Sequence, residues 1–345
     1  MENKETVLVT GGTGFVGLQL ILQLLQQGYL VRTTVRSLLS KDKVINTLKA
    51  HGISFFDRLS FVEAELTNDD NWEKAMRGCT YVLSVASPVF FEIPKDESEA
   101  IRPAVEGIIR ILRFAKKEGV KRVVMTSNFG AVGFSHFDQK TETTEADWTN
   151  TDQSGLSVYE KSKTLAEKAA WDFIRNEGGD LEFATINPVA ILGPSLNAHV
   201  SGSFHIIQHM LDGTMKAIPN IPLNIVDVRD VADLHIRAMV HPDANGQRFI
   251  ASADGEISMS EIAKLLRQKY SDRAQKVSTK SIPNWVLNVG SLFNEQAKSA
   301  ALFLKINRKV SNANAKKILG WKPIDTNEGL IEASMESMIK YGTIK

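Results

Sequence analysis

The sequence has little cysteine, little net charge and no long apolar run, and each shortage excludes a class of protein. The one cysteine, Cys79, cannot form an internal disulfide, so we expect a reducing, cytoplasmic setting. The 41 basic and 40 acidic residues leave a net charge of +1, so we expect neither nucleic acid nor an anionic membrane as a partner. No apolar run reaches the length of a membrane span, and we expect no signal peptide in the polar residues 1–5.

The first half of the chain alternates short β-branched runs with amphipathic helical segments. Strands are predicted at residues 7–9, 30–35, 60–64, 81–85, 123–126 and 183–187. Helices are predicted at residues 18–25, 41–50, 70–77 and 98–117. Strands that alternate with helices predict an α/β fold with a doubly wound parallel sheet. In such a fold ligands lie at the carboxyl ends of the strands, so residues that follow strands are the functional candidates.

A glycine-rich turn, TGGTGFVG at residues 10–17, joins the first strand to the first helix. Its spacing fits both G-x-G-x-x-G, counted from Gly12, and G-x-x-G-x-x-G, counted from Gly11. A Cβ at these glycines would obstruct the tight turn, the approach of a pyrophosphate, or the packing of helix on strand. We interpret the segment as a dinucleotide-binding motif of Rossmann type, the alternative being a purely structural turn.

The end of the second strand indicates which dinucleotide is bound. A site for NAD usually has an acidic residue there for the ribose 2′-hydroxyl, whereas a site for NADP supplies a cation for the 2′-phosphate. Here Arg36 stands at that position, with Arg32 before it and Lys43 after it. We therefore expect NADP(H), the alternative being that Arg36 is an ordinary solvated arginine. Glu65, after the third strand, is expected near the adenine.

Tyr159 and Lys163 are four residues apart, so on a helix they lie on one face. A tyrosine with a pKa of about 10 is a poor acid–base catalyst near neutral pH. A lysine ammonium one turn away, together with the positive ring of an oxidised nicotinamide, is expected to lower that pKa. The phenol then donates a proton to a carbonyl oxygen as hydride reaches the carbonyl carbon. The spacing is common by chance, and it gains weight here because it follows a dinucleotide-binding motif.

Taken together, these segments resemble the extended short-chain dehydrogenase/reductases, and within them the dihydroflavonol-4-reductase-like branch, which includes NADP-dependent carbonyl reductases. The resemblance rests on residues 10–17, 34–36, 85–88, 159–167, 187–188 and 193–194. The cofactor contacts expected from the motifs and the resemblance are Gly11, Thr13, Gly14, Phe15, Val16, Gly17, Arg36, Lys43, Glu65, Leu66, Ala86, Ser87, Lys163, Pro188 and Val189. By the same resemblance Lys163 would hydrogen-bond the nicotinamide ribose.

One departure from the family pattern concerns the third catalytic residue. The family usually has a serine there, the second serine of a Thr-Ser-Ser run after the fifth strand. Here the run is Thr126-Ser127-Asn128, so Asn128 occupies the serine position. An asparagine amide can still donate a hydrogen bond to a carbonyl oxygen; alternatively, Ser127 takes the role after a small register shift. The expected catalytic set is Tyr159, Lys163 and either Asn128 or Ser127, without a metal ion.

The domain boundaries follow from a change of pattern near residue 190, where glycines and prolines begin to break the chain into short pieces. Residues 1–190 are expected to form an NADP-binding Rossmann domain, with elements around 223–252 returning to it. Residues 191–222 and 253–345 are expected to form a smaller C-terminal substrate-binding region. Its core is expected to include Trp285, Phe293, Phe303 and Trp321.

These features predict an NADPH-dependent reductase of a small-molecule aldehyde or ketone, either monomeric or homodimeric. Loops at 88–96, 133–156 and 195–222 are expected to determine the substrate, and Phe134 and Phe137 are candidates for an apolar pocket. One alternative is a nucleotide-sugar epimerase or dehydratase with retained NAD, against which Arg36 argues. Another is a non-catalytic NADP-binding sensor protein, which only Asn128 supports.

Overall fold

The structure is a computed structural model that describes residues 5–87, 96–290 and 295–344. The strands are β1 (Thr6–Val9), β2 (Leu30–Val35), β3 (Leu59–Glu63), β4 (Tyr81–Ser84), β5 (Arg122–Thr126), β6 (Glu182–Pro188), β7 (Ala190–Leu192), β8 (Ile218–Pro219), β9 (Pro222–Leu223), β10 (Ile225–Asp227), β11 (Arg248–Ala251), β12 (Ile257–Ser258) and β13 (Ser281–Ile282). The helices are α1 (Phe15–Gln26), α2 (Lys41–Ala50), α3 (Trp72–Met76), α4 (Glu97–Lys117), α5 (Val158–Glu177), α6 (His205–Leu211), α7 (Val228–Val240), α8 (Met259–Lys269), α9 (Asn284–Gly290), α10 (Glu295–Lys305), α11 (Ala313–Leu319) and α12 (Asn327–Lys340).

Seven of the described strands form one sheet, in the order β11-β6-β5-β4-β1-β2-β3, and every neighbouring pair is parallel. The chain builds outward from β1 through β2 to β3, and then crosses back to place β4 on the other side of β1. This arrangement confirms the predicted doubly wound α/β fold. The strand order reverses between β1 and β4, and ligands of such sheets bind outside the carboxyl ends of the strands at that point.

Buried side chains cover both faces of the sheet, as its parallel strands require. Residues alternate along β1, where Val7 and Val9 belong to one buried cluster and Leu8 belongs to the other. Helices α1 and α7 contribute to the first cluster, and α4 and α5 contribute to the second. On α5 the residues of this cluster include two small ones, Ala166 and Ala170, and the helix packs closely against α4.

Beyond the sheet, the C-terminal residues are attached through a buried tryptophan. Trp321 is 1% exposed, and its Nε1 donates to Asp230 Oδ1 at 3.0 Å. Burial raises the pKa of Asp230 to about 6. The expectation of a core position was wrong for Trp285, which is 67% exposed because α9 leaves it at the surface, and Phe293 lies outside the described residues. None of the helices that the structure describes is both long and apolar enough to cross a membrane.

Candidate active site

The glycine turn after β1 has the close backbone approach that a pyrophosphate site needs. Gly11 has a φ of +73°, and a Cβ on it would lie 3.1 Å from the Cβ of Ala86. A Cβ on Gly17 would lie 2.3 Å from the carbonyl oxygen of Gly11. Helix α1 begins directly after Gly14, which offers no side chain to cap its first N–H groups. An uncapped helix N-terminus beside such a turn is suited to an anionic diphosphate, so these residues fit a dinucleotide.

The ends of β1 and β4 are joined beneath this turn. The hydroxyl oxygen of Thr10 accepts hydrogen bonds from the backbone N–H groups of Val85 and Ala86, both at 2.9 Å. Ala86 and Ser87 are half-buried and follow β4 at the point where the strand order reverses. Residues 88–95, which include most of the first predicted substrate loop, lie outside the described residues.

Arg32 in β2 and Arg36, the residue directly after β2, have different surroundings. Arg32 donates through Nη1 to the carbonyl oxygens of Ala75 and Arg77, at 2.9 and 2.8 Å, and so it holds the end of α3. Arg36 is exposed and makes no hydrogen bond or ion pair with any residue that the structure describes. Lys43 is likewise exposed, in the first turn of α2. Of the three cations expected to favour NADP, Arg32 is therefore structural, and Arg36 and Lys43 are available to a ligand.

Two further groups of predicted cofactor residues follow β3 and β6. Glu65 is exposed, and Leu66 packs against α4, where its Cβ lies 3.2 Å from the position of a Cβ on Gly107. Pro188 ends β6 and Val189 follows it, and both are buried. The N–H of Val189 donates to a carbonyl oxygen of β11 at 3.1 Å.

The predicted catalytic pair lies in the first turns of α5. The helix begins with a capping box, in which Glu160 Oε2 accepts from the Ser157 N–H at 3.1 Å and the Ser157 hydroxyl accepts from the Glu160 N–H at 3.4 Å. Tyr159 and Lys163 share one face of this helix, and Lys163 Nζ lies 5.5 Å from the centre of the Tyr159 ring. The capped start therefore holds the two side chains side by side.

Burial shifts the pKa values of this pair in opposite directions. It raises the pKa of Tyr159 to about 12, with a smaller contribution from the charge of Glu160. It lowers the pKa of Lys163 to about 8, because a buried ammonium loses its hydration. The expected lowering of the tyrosine pKa is thus not produced by the protein alone. Tyr159 therefore stays protonated at neutral pH.

Asn128 and Ser127, the two candidates for the third catalytic role, are held in different ways. Ser127 is 2% exposed, and its hydroxyl donates to Glu167 Oε2 at 2.5 Å. Asn128 is half-buried, and its Oδ1 accepts from the Gly130 N–H at 2.6 Å. That bond identifies the amide oxygen and leaves Nδ2, a double donor, without a partner among the described residues.

The Asn128 amide also lies against the first turn of α5. A Cβ built on Gly130 would be 2.7 Å from Asn128 Oδ1 and 2.8 Å from Glu160 Cγ, and Glu160 is the neighbour of Tyr159. The structure thus places Asn128 at the carboxyl end of β5, beside the first turn of α5, which carries Tyr159. Ser127 is bonded into the core instead.

Comparison with known proteins identifies the family to which this fold and site belong. The model of the NAD dependent epimerase/dehydratase family matches residues 7–251. The chain belongs to this family. It is 34% identical to dihydroflavonol 4-reductase of Hordeum vulgare over 275 residues, and this alignment covers 78% of this chain and 76% of that protein. It is 27% identical to the solved structure of Gre2 from Candida albicans in complex with NADPH, with a TM-score of 0.78 over 98% of this chain and 99% of that one.

A second solved structure has a similar fold at lower identity. Yeast methylglyoxal/isovaleraldehyde reductase Gre2, complexed with NADPH, is 24% identical, with a TM-score of 0.80 over 98% of this chain and 99% of that one. Together these matches confirm the resemblance to the extended short-chain dehydrogenase/reductases and to their dihydroflavonol-4-reductase-like branch. The family match includes the sheet and the candidate site, and it stops before the C-terminal helices.

Within this family fold, sequence reasoning missed some side chains and misjudged another. It gave no role to Glu167 or Arg248, which form a buried ion pair at 2.7 Å between α5 and β11. A signal was present, since Glu167 lies four residues after Lys163 and so on the same helical face. Phe134 was a candidate for an apolar pocket. It is 6% exposed and packs edge-on against the rings of Phe129 and Phe303, so it belongs to the core.

Proposed function

We propose that this protein is an NADPH-dependent oxidoreductase that reduces an aldehyde or a ketone to an alcohol. The observations that carry the proposal are Lys163 beside the Tyr159 ring in the first turns of α5, and the Asn128 amide at the carboxyl end of β5, whose Nδ2 has no partner among the described residues. These are a proton donor, a cation beside it and a hydrogen-bond donor, which are the groups that carbonyl reduction requires. The family membership and the named activities of the relatives, dihydroflavonol 4-reductase and methylglyoxal/isovaleraldehyde reductase, support it.

When bound, NADPH supplies the hydride. The residues proposed to hold it are the glycine turn for the pyrophosphate, Arg36 and Lys43 for the 2′-phosphate, Glu65 and Leu66 for the adenine, Ala86, Ser87 and Lys163 for the nicotinamide ribose, and Pro188 and Val189 for the nicotinamide. Arg36 favours NADPH over NADH, because a guanidinium without a partner gains most from a phosphate. Two relatives bind NADPH in their solved structures, which supports the same choice.

The proton chemistry is assigned to three side chains. Asn128 Nδ2 donates a hydrogen bond to the substrate carbonyl oxygen and stabilises the negative charge that develops there. As hydride adds to the carbonyl carbon, the C=O π electrons move to that oxygen, and the Tyr159 hydroxyl gives it a proton. The phenolate that remains is stabilised by the Lys163 ammonium, and it regains a proton from solvent after the alcohol leaves.

The test is to follow NADPH and NADH consumption side by side over aromatic aldehydes, α-keto esters, diketones and dihydroflavonols. We expect turnover, with NADPH preferred. Tight NADPH binding without turnover on any member of the panel would favour the non-catalytic sensor. NAD that copurifies with the protein would favour the epimerase or dehydratase alternative.

A further inference from the structure

Helix α5 carries a third ionisable side chain, Glu167, on the same face as Tyr159 and Lys163. Glu167 lies eight residues after Tyr159, about 12 Å along the helix axis, and its side chain is fully buried. A carboxylate without access to water is costly unless its oxygens are paired. The partners of Glu167 therefore indicate what it holds in place.

Both carboxylate oxygens of Glu167 accept hydrogen bonds from groups outside α5. Oε2 accepts from the Ser127 hydroxyl at 2.5 Å and from Asn187 Nδ2 at 2.7 Å. Oε1 accepts from Arg248 Nε at 2.7 Å and from the Thr185 hydroxyl at 3.1 Å. One side chain thus ties the catalytic helix to β6, to β11 and to the residue that follows β5.

Two of these partners hold the backbone that carries Asn128. Ser127 precedes Asn128 in the chain, and its N–H donates to the carbonyl oxygen of Ile186 in β6 at 2.8 Å. Asn187 Nδ2 has a second proton, which it donates to the carbonyl oxygen of Asn128 at 3.4 Å. The position of Asn128 therefore depends on two groups that Glu167 itself orients.

Arg248 provides a second route from Glu167 to the same turn. Its Nη1 donates to the carbonyl oxygen of Glu145 at 2.6 Å, and its Cζ lies 3.7 Å from the centre of the Trp148 ring. The next residue, Thr149, donates its N–H to the carbonyl oxygen of Ala131 at 3.1 Å. Ala131 ends the short 3₁₀ helix that begins directly after Asn128. The Glu167–Arg248 pair therefore braces the turn from its far side as well.

We propose that Glu167 is a positioning residue, whose buried carboxylate holds the Asn128 amide in register with Tyr159 and Lys163. The inference rests on the proposed function, because Glu167 acts through Asn128 and does not touch the substrate. Stability alone is a weak reason for such a pair, since apolar replacements of buried ion pairs are often neutral or stabilising. An apolar side chain cannot, however, orient Ser127 and Asn187, and so it cannot place the amide.

The test is a double-mutant cycle that combines Glu167→Gln with Asn128→Ala. A glutamine has one acceptor oxygen, so its NH₂ group would face either Arg248 Nε or Asn187 Nδ2, both of which are donors. We expect Glu167→Gln to lower kcat about tenfold in the parent protein, because small displacements in an active site are costly. KM and the NADPH dissociation constant should change less than about twofold. In the Asn128→Ala background the same substitution should lower kcat less than about twofold.

Two controls separate positioning from loss of folded protein. Rates are expressed per NADPH-binding site, counted by fluorescence titration, so that unfolded molecules are left out. Glu177→Gln changes an exposed carboxylate at the far end of the same helix and should leave kcat unchanged. An equal fold-loss of kcat in both Asn128 backgrounds, or an unchanged kcat in Glu167→Gln, would overturn the inference.

The outcome remains decisive if Glu167→Gln does not bind NADPH. Ser127→Ala removes one hydrogen bond to Glu167 and takes its place in the cycle, with an expected loss in kcat of about threefold for one misplaced donor. A loss as large as that of Tyr159→Phe would make Ser127 catalytic and would overturn the inference. Failure of the proposed function is seen separately, as turnover that Tyr159→Phe retains.

Discussion

Two arginine–glutamate pairs lie at strands β5 and β6, one partly buried and one buried on both sides, and the two pairs hold different parts of the molecule. At the first residues of these strands, Arg122 Nε donates to Glu182 Oε2 at 2.7 Å. Arg122 is 2% exposed, and its Nη1 also donates to carbonyl oxygens at the end of α7, among them Ala238 at 2.7 Å. This pair caps a helix C-terminus, where a cation is favoured, and it lies far from the carboxyl ends that bind ligands.

The second pair, Glu167 with Arg248, holds groups that lead to the candidate active site. Its hydrogen bonds reach Ser127, beside Asn128, and the backbone of Glu145 in a predicted substrate loop. An arginine–glutamate pair thus stabilises the fold at the amino ends of β5 and β6, and a second such pair holds the site geometry toward their carboxyl ends. This division of roles would be contradicted by a substitution at the Arg122 pair that changes turnover. It would equally be contradicted by a substitution at the Glu167–Arg248 pair that leaves turnover unchanged.

The largest effect is expected for Tyr159→Phe. Loss of the proton donor should lower kcat at least about a thousandfold, toward the upper part of the range for general acid catalysis. NADPH affinity should be retained, because the phenol is not among the residues proposed to hold the cofactor. Steady-state kinetics and fluorescence titration measure the two quantities. Tyr270→Phe, which removes a hydroxyl in the C-terminal region, is the matched control. A Tyr159→Phe protein that turns over normally would contradict the proposed mechanism.

Arg122→Met should lower the stability of the protein and leave its turnover unchanged. It leaves Glu182 and the carbonyl oxygens of α7 without their donor, so unfolding free energy should fall by about 3 kcal/mol. The kcat per NADPH-binding site should stay within about twofold of the parent value, because none of the hydrogen bonds of the Arg122 side chain reaches Ser127, Asn128 or Glu167. Urea unfolding and kinetics on the same sample test both statements. A tenfold fall in kcat would mean that the two ends of the strands are coupled.

Lys163→Met should stabilise the cofactor-free protein while it removes activity. Lowering the pKa of Lys163 from 10.5 to about 8 corresponds to about 3 kcal/mol of folding free energy. This cost to folding is fully present below pH 8, where the lysine is charged in both states and the folded protein must bury the charge. It disappears as the pH rises from about 8 to about 10.5, so the advantage of the variant should shrink over that range. Thermal unfolding at several pH values is the measurement. Lys161→Met, which breaks an exposed pair with Glu97, should shift stability by less than about 1 kcal/mol.

The sequence was sufficient for the sheet and for the face that carries Tyr159 and Lys163, because both depend on local periodicity. It could not distinguish Asn128 from Ser127. That distinction depends on a bond from Ser127 to Glu167, 40 residues away. Nor could it assign Arg248, since its partners come together only when β11 returns to the sheet beside β6. Side chains whose role is set by distant packing were therefore the ones that sequence reasoning missed.

For Trp285 and Arg32, in contrast, sequence reasoning assigned a role that the folded structure does not support. Composition placed Trp285 in a core, although α9 leaves it exposed. Charge grouped Arg32 with Arg36 as a cofactor ligand, although Arg32 is engaged by the carbonyl oxygens of α3. Which of several similar residues is already occupied by the protein can be read only from the folded structure.

The smallest effect is expected for Arg36→Ala, and it contrasts a cation that is free for a ligand with Arg32, a cation already bonded by the protein, four residues earlier in the same segment. Loss of a charge-assisted bond to the 2′-phosphate should weaken NADPH binding about 10- to 100-fold, and the NADH dissociation constant should change less than about twofold. Arg32→Ala is the matched control, because Arg32 precedes Arg36 by four residues in the same segment and bonds to α3 instead. It should lower stability and leave the ratio of the two dissociation constants unchanged. If Arg36→Ala weakened NADPH and NADH equally, Arg36 would not discriminate the 2′-phosphate, and Lys43 would be the remaining candidate cation.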